Sequence, residues 1–154
     1  MHVTKKTLSL WITCLLALSI QAQTSLNLYP INGAIGFKFR SAKKVALETR
    51  FDVQLDIANG ESNLFMNTEL LTLINFIQEE KLNLYTGIGL GANIYNQAQS
   101  SLSGTVPFGL CYYFTDDKRL ALIGEGGLKI TAGDFLKLKS YALIGLQIGL
   151  RRNK

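Results

Sequence analysis

Along residues 45–57 the chain alternates without a break: Val45, Leu47, Thr49, Phe51, Val53, Leu55 and Ile57 fall on one face, and Ala46, Glu48, Arg50, Asp52, Gln54 and Asp56 on the other. A period of two is the repeat of a β-strand with one greasy and one polar side. The same pattern predicts strands over 24–29, 34–40, 63–77, 82–95, 104–114, 119–130 and 138–150, which makes eight. Turn chemistry separates them: Pro30 to Gly33, a polar link at 41–44, Asn59-Gly60, Glu79 to Lys81, the polar stretch 97–101, Thr115-Asp116-Asp117-Lys118, and 132–137. The 63–77 segment, with its run ELLTLINFIQ, suits a helix nearly as well as a strand, and its neighbours favour the strand. Pro107 removes one ladder donor and points to a bulge or local irregularity in its strand. The expected architecture is all-β, an antiparallel up-and-down transmembrane barrel of eight strands.

The N-terminal stretch reads differently. Lys5 and Lys6 precede an uncharged, mostly apolar segment over 7–20 that ends at Gln21-Ala22-Gln23. This is the pattern of a secretory signal peptide, with removal expected after Ala22. The apolar segment is shorter than the roughly 17–25 residues a membrane helix needs. Cys14 follows Trp11, Ile12 and Thr13, a poor context for lipoprotein processing. A single domain over 23–154 is expected to remain.

Loss of 1–22 takes His2, Trp11 and Cys14 with it, leaving no histidine and only Cys111. Ser-His-Asp hydrolysis, Cys-His pairs and histidine-based zinc sites are then excluded, as is an intramolecular disulfide. The net charge of +5 falls to +3 without Lys5 and Lys6, too small and diffuse for nucleic acid. Charged residues make up 18% of the chain, below the roughly 25% of soluble domains. Low charge without a long apolar helix suits a membrane barrel, which hides its hydrophobicity in alternation.

Alternation alone leaves open whether the greasy face looks outward to lipid or inward to a pocket. The polar face holds Gly36, Gly87, Gly89, Gly91, Gly145 and Gly149, small residues that suit the crowded lumen of an eight-stranded barrel. It also carries Lys38, Arg40, Glu48, Arg50, Asp52, Glu69, Glu125 and Lys129, which a narrow lumen would force into hydrogen-bonded ion pairs. An acid or base role for Glu48 or Asp52 requires a substrate path into that lumen. Phe37, Phe39, Phe108, Tyr112 and Phe114 sit on apolar faces near strand ends, as an interfacial aromatic girdle or as ordinary packing. Cys111 falls on the polar side as a small buried filler. No catalytic, cofactor-binding or metal-ligating residue is assigned.

The segments IQAQ, GAIGFKFR, LYTGIGLGANIY, VPFGLCYYFTDDKRLAL and YALIGLQIGL resemble those of small outer-membrane β-barrel proteins of Gram-negative, Bacteroidetes-type bacteria. Many such proteins end in an aromatic residue used in assembly, whereas this chain continues to Arg151-Arg152-Asn153-Lys154. The resemblance implies location in the cell outer membrane, both chain ends in the periplasm, and contact with outer-membrane lipids and, during biogenesis, the barrel assembly machinery. It also implies four short outward turns, at Pro30, Asn59-Gly60, 97–101 and 132–137, which argue against an adhesin. The expected function is a non-enzymatic envelope or structural role. The alternatives are a secreted soluble barrel that binds a lipid or other apolar ligand and, with less support, a lipid-modifying enzyme.

Overall fold

The computed structural model describes residues 24–40, 43–58, 61–95, 100–132 and 136–150, with backbone alone at 54–58, 61–65 and 95. The expected leader over 1–22, the Asn59-Gly60 turn, most of the 97–101 turn and the 151–154 tail lie outside the described residues. Eight strands run in chain order: β1 (Thr24–Tyr29), β2 (Ala34–Phe39), β3 (Val45–Ala58), β4 (Glu61–Gln78), β5 (Leu82–Tyr95), β6 (Ser100–Tyr113), β7 (Leu120–Ala132) and β8 (Lys137–Gly149). Each pairs antiparallel with the next and β8 pairs with β1, so the sheet closes into an up-and-down barrel. The ambiguous 63–77 segment is strand throughout, held by full-length ladders to β3 and β5.

Pro107 brings the local irregularity expected of it, though not as a bulge: the β5–β6 ladder lapses where Gly87 and Ile88 pass Val106 and Pro107, and resumes in the same register. A register shift lies in β4, between Asn75 and Ile77, which sets Phe76 and Ile77 on the outer surface together. In addition, β6 starts at Ser100 rather than 104, because its polar first residues pair with Gly91 to Ile94.

The stagger fixes the shape of the cylinder. Paired residues lead from Leu26 through Phe37, Thr49, Leu70, Leu90, Gly104, Ile130 and Leu138, and the β8–β1 register then returns to β1 at the level of position 36. A circuit of eight strands thus climbs ten positions, which tilts the strands by about 40° and gives a backbone radius of about 8 Å. Each residue then rises about 2.5 Å along the barrel axis.

The greasy face looks outward. Ile88 is 70% exposed, Leu90 77% and Leu102 70%, and large apolar residues are exposed on β2 through β8. From Leu84 to Ile94 this face of β5 covers about 25 Å of height, the thickness of the apolar band of a membrane barrel. Phe76, Tyr112 and Phe114 gather at the end that carries the β4–β5 and β6–β7 turns, and Tyr112 meets Phe114 edge to face at 5.7 Å.

The wall is uneven. β1 and β2 have six residues each, while the other strands have thirteen to eighteen. Their hairpin turns at Pro30 to Gly33, with Asn32 N–H donating to the Tyr29 carbonyl at 3.1 Å and Gly33 at φ 67°. β2 covers β3 only over Leu47 to Asp52, and β1 covers β8 only over Leu146 to Gly149. Above that hairpin, among the described residues, no strand joins β3 from Val53 onward to β8 over Lys137 to Gly145. The result is a window in the wall about three strand spacings, or roughly 14 Å, across.

Candidate functional site in the barrel lumen

The lumen is filled in layers. At the end where the β4–β5 and β6–β7 turns lie, Ala46, Leu71, Leu73, Ala121, Ile123 and Tyr113 are buried together with Cys111. Cys111 is the small buried filler its position suggests, with Sγ 3.8 Å from Gln147 Oε1. Lys118 caps this end by donating from Nζ to the Glu79 carbonyl at 3.0 Å and lying over the Tyr113 ring.

An ionic layer lies above it. The Arg50 guanidinium donates to both oxygens of Glu125 at 2.6 Å each and from Nε to Glu48 Oε1 at 2.7 Å. Their side chains are 4% exposed for Arg50, 1% for Glu48 and 0% for Glu125. Three phenols complete the layer. Tyr29 donates to Glu48 at 2.9 Å, and Tyr85 and Tyr141 donate to Glu125 at 2.7 and 3.0 Å. Glu125 therefore accepts four hydrogen bonds, the full capacity of a carboxylate. Lys38 lies with its ammonium 4.6 Å above the Tyr85 ring, so two buried cations face two buried anions and the layer is neutral.

Glycines make the room for this. A Cβ at Gly109 would collide with the ring of Tyr85, its cross-strand partner, and one at Gly145 would sit 2.6 Å from the Tyr29 ring. At Gly36 it would lie 2.6 Å from Glu48 Oε1, and at Gly127 2.9 Å from the Tyr141 ring. Laying a tyrosine across the glycine of the next strand packs an aromatic flat against bare backbone, which a barrel this narrow requires.

The upper lumen is more open. Lys129 pairs with Glu69 at 2.7 Å, and Thr105 donates to the same carboxylate at 3.3 Å. Beside them lies a cavity of about 170 Å³, lined by Asn32, Asp52, Asn67, Glu69, Lys129 and Tyr141 among others. It adjoins the window above the β1–β2 hairpin. Among the described residues the lumen is therefore a cup, filled at the end of the β4–β5 and β6–β7 turns and more open at the other.

Of the charged residues the sequence set on the lumen face, Lys38, Glu48, Arg50, Glu125, Glu69 and Lys129 do meet inside, and Asp52 lines the cavity. Arg40 does not. It ends β2 in the left-handed region, at φ 58°, with its side chain exposed, because the chain turns away there before another residue can pair. Glu48 lies below the cavity and is not part of its lining. The three phenols were missed as network members; their signal was parity, since Tyr29, Tyr85 and Tyr141 share the face of Asn27, Gly87 and Gly145. Among the described residues no cluster of His, Cys, Asp or Glu is arranged to hold a metal.

No protein-family model, curated protein or solved structure matches this chain. The eight-stranded antiparallel up-and-down barrel thus rests on the chain's own register.

Proposed function

We propose that the protein is a non-enzymatic integral barrel of the cell outer membrane with a structural or envelope-related role. The observation that carries this reading is the orientation of the two faces: apolar side chains outside over a band about 25 Å tall, and ion pairs, amides and phenols inside. In water so much contiguous exposed apolar surface would drive aggregation. In lipid it is matched, and the closed ladder satisfies most of the backbone. The soluble alternative needs a greasy interior pocket, whereas seven of the nine residues that line the cavity in this lumen are polar or charged. The filled lower layers fit a barrel that does not conduct.

The test is expression of the full chain in a Gram-negative host, isolation of outer membranes, and electrophoresis of boiled and unboiled samples. A membrane-extracted band that changes mobility on boiling is the expected result. Soluble periplasmic protein without that shift would refute the membrane reading.

A further inference from the structure

The window and the cavity behind it share one chemistry. On the lumen side, the amide oxygens of Asn32 and Asn67 are buried with no hydrogen-bond partner in a cavity wall that also carries Arg50, Asp52 and the Glu69–Lys129 pair. Unmet buried acceptors call for a donor, and a charged N–H makes the strongest such bond. At the rim the sign reverses. Lys139 is the cross-strand partner of Lys129, so two ammonium groups share one face of β7 and β8, and Lys137 follows on the same face. Glu69 holds Lys129 at 2.7 Å, so the charge that attracts an anion to the rim is that of the exposed Lys139 and Lys137. The outer surface beside the window is apolar, with Ile31 at the hairpin tip, Val53 on β3 and Leu138 on β8 all exposed.

From this arrangement we infer that the window is a lateral binding site for a lipid whose head group carries a primary ammonium next to a phosphate. The ammonium enters the cavity and donates to the amide oxygens of Asn32 and Asn67. The phosphate stays at the rim with Lys139, beside the stretches of β3 and β8 that no other described strand pairs. Size decides where the tail goes. A cavity of about 170 Å³ is smaller than the roughly 300–1,000 Å³ of pockets that enclose whole small ligands, so it admits a head group and leaves the acyl chains outside. There they lie against the apolar wall. The same ligand also covers the edges that, among the described residues, no strand pairs, and such edges are costly in hydrocarbon.

The inference rests on the membrane reading, and the experiment separates the two. Full-length protein is refolded into detergent micelles, checked for the mobility shift on boiling, and offered equimolar dilauroyl lipids with ethanolamine, choline and glycerol head groups under native mass spectrometry. Ethanolamine lipid is expected to bind about tenfold more than the other two, since the choline head has no N–H and the glycerol head no ammonium. Asn67→Leu is expected to lower that binding about tenfold and abolish the preference, whereas Lys139→Glu, at an exposed position, is expected to lower binding of all three lipids about tenfold, since each carries the phosphate. Equal binding of all three lipids to a folded barrel would overturn the inference and leave the membrane reading standing. So would phosphoethanolamine alone binding as tightly as the lipid, or a mass of two chains with no lipid, which would place a second copy in the window. A lipid preference without the mobility shift would instead overturn the membrane reading and keep the site.

Discussion

Arg50→Met removes the one cation that holds Glu48 and Glu125 together. The wild-type guanidinium makes three charge-assisted hydrogen bonds of 2.6 to 2.7 Å, and all three side chains are at most 4% exposed, so solvent screening is slight. Breaking a buried pair by deleting one partner costs about 3–5 kcal/mol, because a charge is left uncompensated. Here one deletion orphans two carboxylates. Lys38 and the phenols soften the loss, which puts the expected destabilisation near the top of that range, at about 4–5 kcal/mol. The control is the double variant Arg50→Met/Glu125→Gln. It keeps the volumes and leaves Glu48 facing Lys38, so the layer stays neutral and most of the loss should return. The assay is urea unfolding of the barrel in vesicles or micelles, followed by the mobility shift on boiling, with the folding and unfolding curves shown to coincide. An Arg50→Met variant less than 1 kcal/mol below wild type, or a double variant no better than the single, would refute the view that this layer is an obligate ion network.

Ile88→Arg places a charge in the middle of the outer apolar band and should weaken insertion by about 2–4 kcal/mol, measured by refolding yield into vesicles; unchanged insertion would mean that this face does not meet lipid. Gly109→Val drives a branched side chain into the Tyr85 ring and should cost about 1–3 kcal/mol in urea, and a partner change Tyr85→Ala should relieve the clash. Arg40→Gly removes a left-handed non-glycine residue at an exposed position and should raise stability by about 1 kcal/mol, checked by the same unfolding curves. In planar bilayers the protein should show no steady ion conductance, since the lower lumen is filled by Leu71, Leu73, Ile123 and Tyr113; discrete channel openings would show that the layers part.

Local pattern carried most of the wall. β1 and β5 begin and end where alternation met Pro30 and the charged 79–81 turn, and β3 was legible almost to the residue. Where a strand's own sequence lacked contrast, the boundary was set by its neighbour, as when Ser100 to Ser103 joined β6 through pairing with β5. The lumen was legible in kind but not in contacts. Parity put Glu48, Arg50 and Glu125 on one face, yet which carboxylate faces which cation depends on stagger, a property of the closed sheet rather than of any segment. For the same reason the tyrosine-over-glycine packing stayed hidden, although every glycine and tyrosine was in plain view. The window lay between the two cases: the short first hairpin could be read from residues 24–40, and what it leaves uncovered could not.

The climb of ten positions per circuit has a kinetic consequence. Arg50 on β3 and Glu125 on β7 are 75 residues apart in sequence and four strands apart around the wall, so they meet only across the lumen of a closed cylinder. On a growing, still-open sheet each charge would lie bare on the concave side. Curling the sheet until β8 finds β1 is what brings the partners together, so the last hydrogen bonds of the wall and the ion pairs of the interior form in one event. Closure of this barrel is therefore expected to be a single cooperative step, with a half-wound sheet penalised by its own unpaired charges.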